Sequence, residues 1–125
     1  DVETICLHVE RCVASEQFKD MKVVVTSGPT YEFIDPIRFI SNRSSGKMGT
    51  MLAIEFWRRG ARVVHITSKP TGLKLPDFKE IRVTSVSDML KVCLSEMPCD
   101  LFVSAAAPAD FTIEMEESKI KTAEE

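Results

Sequence analysis

The chain lacks a basic excess, a long apolar run and a compact glycine turn, and each absence removes a class of function. Its 16 Lys and Arg against 19 Asp and Glu give a net charge of −3 and a pI near 5.5. That balance argues against nucleic-acid binding, which depends on many cations neutralising phosphates; a small anionic ligand needs only a local site. No apolar stretch approaches the ~20 residues of a membrane span, and the N-terminus carries no basic-then-apolar signal pattern. No membrane partner is expected, and the protein reads as cytoplasmic. The four cysteines, Cys6, Cys12, Cys93 and Cys99, form two pairs with five residues between the partners. This is neither a zinc-knuckle spacing nor a redox C-x-x-C, so free thiols in a reducing compartment are expected. His8 and His65 add no ligand cluster, and His65, within the strand-like residues 62–67, reads as a strand residue rather than a base.

Two phosphate signatures are also missing. A Walker A loop would need Gly five residues before Gly46 and Ser or Thr after Lys47, where the chain has Ser41 and Met48. The dinucleotide fingerprint crowds its glycines into one tight turn, whereas Gly28 and Gly46 stand eighteen positions apart. What is present instead is a strand-like run at residues 22–25, a break at TSGPT, and a helical pattern resuming near SSGKMG. The nineteen residues 26–44 between them far exceed the usual connection of about 2 to 6, and long structured loops in compact domains tend to be functional. Gly28 allows close backbone approach, and Ser44, Ser45, Gly46 and Gly49 lie where a helix presents unpaired amides and its positive dipole end. An anion site is expected there, although such glycines can also serve only to shape turns.

With 125 residues and 44% apolar content the chain can build one domain with a core, burying about two-thirds of its unfolded surface. A helix with apolar positions Val2, Ile5, Val9, Cys12 and Val13 is expected over residues 1–14, as a tether and helix occupying residues 1–20 or as an integral packing helix of the domain. A helix over residues 46–59 should bury Met48, Leu52, Ala53 and Phe56, with Gly49 on the same face and Gly60 as its stop. Strands are expected at 61–67 and 81–83, a loop between them, and a helix begun by the S-x-x-D cap Ser85–Asp88 with Val86, Leu90, Cys93, Leu94 and Met97 on its apolar face. Residues 101–105 have the composition of a central buried strand. The alternation implies right-handed crossovers and a mainly parallel sheet, and the loops after Val25 and Ala105 should share the ligand face of that sheet. The tail, residues 112–125, is expected to be solvated.

The pieces TSGPT, IDPIRFISNRSSGKMG, SAAAPADF and KIK, in this order, resemble the phosphopantothenoylcysteine synthetases, the ligases that join phosphopantothenate to cysteine in coenzyme A biosynthesis. The likeness runs from Met21 to about Lys121. It implies an α/β, Rossmann-like three-layer fold with a mainly parallel sheet, incomplete at the C-terminus, with residues 21–125 forming the N-terminal part of a nucleotide-binding ligase domain. It implies a homodimer, and a flavin-dependent decarboxylase domain on the N-terminal side in the intact protein. The implied reaction activates 4′-phosphopantothenate with a nucleoside triphosphate as an acyl-nucleotide, which the amine of cysteine then attacks. By matched position, Gly28, Ser44, Gly46 and Gly49 would cradle phosphate; Ala105, Ala106, Ala107 and Asp110 would hold the nucleoside; Lys119 would reach the triphosphate. Asn42 would contact the pantothenoyl carboxylate, and Arg38 is a candidate partner for the substrate phosphate. CTP with Mg²⁺ is the expected co-substrate, ATP the alternative. Two other readings remain: an NAD(P)-binding reductase, which would need an acidic residue where the second strand ends in Thr67 and Ser68, and a non-catalytic fragment of the ligase.

Overall fold

The computed structural model describes residues 1–121; the last four residues of the tail expected to be solvated lie outside the described residues. In chain order the elements are α1 (Val2–Val13), β1 (Lys22–Pro29), β2 (Tyr31–Phe33), β3 (Phe39–Ser41), α2 (Lys47–Arg58), β4 (Arg62–Thr67), β5 (Phe78–Arg82), α3 (Val86–Ser95) and β6 (Leu101–Ala107). Four strands pair in parallel in the order β5-β4-β1-β6, while β2 and β3 form a separate antiparallel hairpin.

The valine run of β1 explains the layering. Successive side chains of a strand point to opposite faces. Val23 and Val25 join Ala53, Trp57 and Val63 under α2, whereas Val24 joins Val64, Ile66, Val83 and Met89 under α3. Both faces of the sheet are thus covered, which a parallel sheet requires. The fold is the expected Rossmann-like α/β arrangement, with its core on either side of β1. Among the described residues no helix is long and apolar enough to cross a membrane.

Several local expectations change. β1 does not end at Val25: its pairing with β4 runs to Ser27↔Thr67, and with β6 to Pro29↔Ala107. Gly28, at φ +79°, is therefore inside a paired strand, so the glycine and proline that signal a turn instead mark where one neighbour leaves and the other continues. The long connection also contains its own structure, the β2–β3 hairpin, held by edge-to-face contacts of Phe39 with Tyr31 and Phe33. β5 starts at Phe78, which is buried, three residues earlier than expected. β6 is the outer strand among the described residues rather than a central one, and Phe102 on it is exposed.

The helices bury stripes that differ in part from those expected. On α2 Gly49 and Ala53 are buried as expected, together with Trp57, while Met48 and Leu52 are exposed. Two small residues let the helix lie close to the sheet, and Trp57 fills the wider gap at the far end, where its indole N–H donates to the Pro76 carbonyl at 2.6 Å. Apolarity added Met48 and Leu52 to the small residues that permit contact, and passed over Trp57. On α3 Met89 is buried and Val92 and Cys93 pack beside it, but Leu90 and Leu94 are exposed. Its capping box forms as expected, with reciprocal 3.1 Å bonds between Ser85 and Asp88. The expected apolar stripe of α1 is exposed at Val2, Ile5, Val9 and Val13. Its other side docks on α2 through His8 edge-on to Trp57 and the Arg11 guanidinium 4.6 Å from that ring's centre.

The approach of α2 can be tested at Gly49. In an ordinary helix interior Gly→Ala stabilises by about 1 kcal/mol. Here a Cβ would stand 2.4 Å from the Ser27 Cβ and 3.0 Å from the Thr26 carbonyl oxygen. Gly49→Ala is therefore expected to reverse the usual sign and destabilise by about 1 to 3 kcal/mol, the range of core overpacking. Urea denaturation measures it, and an unchanged or higher midpoint would contradict the close contact.

Candidate functional site

β1 and β6 are neighbours in space, yet the chain first steps from β1 through α2 to β4 and β5 on one side and only then crosses back from β5 through α3 to β6 on the other side. In open α/β sheets the crevice at such a switch point, beyond the carboxyl ends of the strands, is the natural ligand position. The register places Ser27 beside Ala105, Gly28 beside Ala106 and Pro29 beside Ala107 at that end. The two motif regions therefore converge, as the topology requires.

The first turn of α2 completes the crevice. Its N-cap, Gly46, is in the left-handed region at φ +73° and offers no side-chain cap. The positive end of the helix dipole thus meets the loop without a protein carboxylate on it, the arrangement that favours an anion. A Cβ at Gly46 would lie 3.1 Å from both Cα and N of Gly28, so the two glycines eighteen residues apart in sequence touch backbone to backbone. Ser44 and Ser45 supply weak local bonds at 3.3 Å, Ser44 Oγ accepting from the Gly46 amide and Ser45 Oγ from the Lys47 amide. Lys69, from the loop after β4, donates its ammonium to the Ser44 carbonyl at 2.8 Å and adds the local positive charge. No motif pointed to Lys69 as part of this site.

Asn42 ties this cradle to the β6 side. Its Nδ2 donates to the Pro108 carbonyl at 2.8 Å and lies 3.4 Å from that of Ala107. A second tie runs from the Ala109 amide to Thr30 Oγ1 at 2.8 Å. Ala105, Ala106 and Ala107 are half-buried, and Gly49 would place a Cβ 3.2 Å from the Ala105 methyl. Asp110 is exposed just beyond. Gly28, Ser44, Gly46, Gly49, Asn42 and the alanines are thus gathered in one place.

Arg38 and Lys119 lie on the hairpin side instead. Asp35 is fully buried, and one of its oxygens accepts from the Ile37 and Arg38 amides at 2.8 Å each, closing the hairpin turn. Its other oxygen takes the Arg38 guanidinium and the Ile120 amide, at 2.9 Å from Nε and 3.1 Å from the amide. Arg38 also donates to the Ile120 carbonyl at 2.9 Å. Any contact of Arg38 with a substrate phosphate has to coexist with this pair. The same bonds fix the tail segment that carries Lys119, whose side chain is exposed, and a further bond joins the Glu116 amide to the Ile34 carbonyl. Asp35 has no counterpart among the expected site residues; its only signal was an Asp two and three places before the turn's backbone donors.

The Arg38 guanidinium beside Asp35 holds its carboxyl well below the usual carboxylate range, against the opposing effect of burial. A lowered folded pKa means stability that is complete above about pH 4 and declines only as pH falls toward the lowered value. At neutral pH Asp35→Ala should free the tail, and because the Ile120 amide belongs to the Lys119–Ile120 peptide bond, tryptic cleavage there should accelerate several-fold. Mass spectrometry of a time course reads this directly. Cleavage as slow as in the wild type would mean that Asp35 does not hold the tail.

Residues 18–125 match the family described as the DNA/pantothenate metabolism flavoprotein C-terminal domain. A coenzyme A biosynthesis bifunctional protein CoaBC of Thermococcus kodakarensis is 41% identical over 117 residues, which is 90% of this chain and 28% of that protein. The Bacillus subtilis CoaBC is 46% identical over 93 residues, 72% of this chain and 23% of that protein. The chain thus spans roughly a quarter of the length of these relatives. Among solved structures, the C-terminal domain of a CoaBC superposes with a TM-score of 0.68 at 33% identity, covering 86% of this chain and 58% of that one. A Cab2 variant in complex with phosphopantothenate-cysteine, at 16% identity and a TM-score of 0.65, shares the fold over 94% of this chain and 55% of its own. The matched region holds every element from β1 to β6, and the chain belongs to the DNA/pantothenate metabolism flavoprotein C-terminal domain family.

Proposed function

We propose that this chain is the nucleotide-side part of a ligase domain that joins 4′-phosphopantothenate to cysteine in coenzyme A biosynthesis. The observation that carries the reading is the junction of an uncapped helix N-terminus with Gly28 and Gly46, set against Asn42 and the Ala107–Pro108 carbonyls at the switch point. The relatives named above support the class of reaction. A carboxylate is a poor acyl donor, so its oxygen would attack the α-phosphorus of the nucleotide and expel pyrophosphate. The cysteine amine would then attack the acyl carbon, lose a proton, and release the nucleoside monophosphate. Such chemistry asks for positioned donors and shielding more than for a side-chain nucleophile, and this crevice offers amides, small side chains and Asn42.

The roles follow from placement. The Gly28–Gly46 junction and the amides opening α2 would receive the triphosphate, with Ser44 and Gly49 shaping the approach and Lys119 adding charge from the tail. Ala105, Ala106 and Ala107 leave room for the nucleoside, with Asp110 accepting from its donors. Asn42 has one amide hydrogen well used on Pro108, and its 3.4 Å bond to the Ala107 carbonyl is weak enough to be exchanged for a developing oxyanion. CTP is the preferred nucleotide in this reading and ATP the alternative. Among the described residues no three metal-ligating side chains gather, so Mg²⁺ would arrive on the triphosphate rather than in a protein cage. A cytoplasmic homodimer with a flavin-dependent decarboxylase domain on its N-terminal side completes the proposal.

Calorimetric titration of the chain with CTP, ATP and NADPH side by side tests the class: a nucleoside triphosphate should bind and NADPH should not. Binding of NADPH alone would move the protein to the reductases. In the full-length protein, Asn42→Asp should leave triphosphate affinity within a few-fold but lower amide formation by about 10²- to 10³-fold, because a carboxylate replaces a donor beside developing negative charge. Pyrophosphate release and trapping of the acyl-nucleotide locate the block, and undiminished amide formation would remove Asn42 from catalysis.

A further inference from the structure

Beneath the cradle lies a buried polar line that the proposed reaction does not use. Ser27 and His65 are fully buried, on β1 and β4. Ser27 Oγ is 2.6 Å from His65 Nε2, and His65 Nδ1 is 2.9 Å from a carboxylate oxygen of Glu80 on β5. Ser27 Oγ is also 2.9 Å from the Thr67 hydroxyl, which itself accepts from the Lys69 amide at 3.1 Å. Glu80 in turn accepts from the Gly72 amide at 3.0 Å and from the Thr71 hydroxyl at 3.1 Å.

The donors can be assigned by elimination. Burial pushes the Glu80 carboxyl up, but the bonds from Thr71, Gly72 and His65 outweigh it and hold the group ionised, so it can only accept and Nδ1 must carry the hydrogen. Burial lowers the pKa of His65, against the pull of Glu80, which leaves Nε2 as a lone pair that Ser27 Oγ–H must satisfy. Ser27 has one hydrogen, so the hydroxyl contact with Thr67 is donated by Thr67. Every bond from the Lys69 amide to Glu80 then points the same way. The order Ser, His, acid is that of a hydrolytic triad, but Ser27 has no accessible surface and no substrate carbonyl can reach it.

What the line does reach is the cradle. The Ser27 Cβ faces Gly49, the Ser27 Oγ lies 3.8 Å from the Cβ position of Gly46, and Thr67 Oγ1 lies 3.3 Å from that of Gly28. We propose that His65 is a positioning residue for the anion cradle: clamped by Glu80, it fixes the Ser27 side chain, and through Ser27 the seating of the first turn of α2 against Gly28. The inference rests on reading that junction as a nucleotide site, and deepens it by naming what holds the site in shape.

The test compares His65→Gln, His65→Asn and His65→Leu. Gln places a polar atom near the Nε2 position and keeps the bond to Ser27; Asn places one near Nδ1 and keeps Glu80; Leu keeps neither. Backbone hydrogen exchange should rise at Gly28 and at Thr50, whose amide closes the first turn of α2 on the Gly46 carbonyl at 3.0 Å, relative to α3, by about tenfold in His65→Leu and His65→Asn, the scale of one lost buried hydrogen bond. His65→Gln should recover most of the protection, and CTP affinity should follow the same order. Equal exchange in the Gln and Asn variants, or a rise spread evenly over the chain, would make His65 an ordinary core residue and overturn the proposal. If His65→Leu does not fold, the Gln and Asn pair alone decides. The expected exchange pattern in a wild-type chain that takes up no nucleotide would refute the nucleotide reading while upholding the positioning role; CTP uptake with no cradle-specific exchange change would do the reverse.

Discussion

The distance at which the first turn of α2 lies on the ends of β1 and β6 sets almost everything on the ligand side of this molecule. At Gly49 there is no room for even a methyl group, because Ser27, Thr26 and Ala105 already occupy the space. That contact delivers the helix N-terminus to the switch point and brings Gly46 onto Gly28. A helix held one side-chain layer further out would still cover the sheet, since Ala53 and Trp57 bury the rest of its face. It would not place its amides within reach of a ligand seated on Gly28. The hydrophobic effect fixes the layer, but steric permission at one glycine fixes the site.

Electrostatics follow from the same geometry. The helix end has no carboxylate cap and receives Lys69 through the Ser44 carbonyl, so the crevice is locally favourable to anions in a chain whose net charge is −3. Two strongly held carboxylates are each satisfied by their own donors, Asp35 by Arg38 and backbone amides, Glu80 by His65, Thr71 and Gly72. Satisfied in this way, they stiffen the hairpin and the sheet.

Much of this was legible in the sequence because the string from Asp35 to Gly49 performs three separable tasks. Asp35 and Arg38 close the hairpin and hold the tail, Ser41 and Asn42 fasten the hairpin to Thr30 and to the β6 loop, and residues 44–49 build the cradle. Local chemistry of that density survives translation into sequence pattern. Apart from β2 and β3, which lie in what reads as one long loop, element existence and order were readable from the alternation of period-2 and helical stretches. The rest was not, for physical reasons. The buried stripe of α2 excludes Met48 and Leu52 because closeness at Gly49 and Ala53, not apolarity, was limiting, and the continuation of β1 through Gly28 and Pro29 depends on a neighbour, β6, more than seventy residues away. His65 looked like an ordinary strand residue since its partners, Ser27 and Glu80, lie on two other strands.

The placement of the tail has a consequence for how the site can be completed. The segment carrying Lys119 is held at the hairpin turn by Asp35 and Arg38, and at Ile34 by the Glu116 amide, whereas Asn42, four residues beyond Arg38, is held to Pro108. The short β3 strand therefore joins the element that positions Lys119 to the element that positions the proposed oxyanion donor. Because β3 pairs residue for residue with β2, and β2 is anchored to the sheet through the Tyr31 amide on Thr84 and through Glu32 on the Val86 amide, the hairpin cannot slide without breaking bonds at both ends. Charge from the tail and the amide of Asn42 are thus set in a common frame, which is what a reaction that relies on positioned donors rather than on a nucleophilic side chain requires.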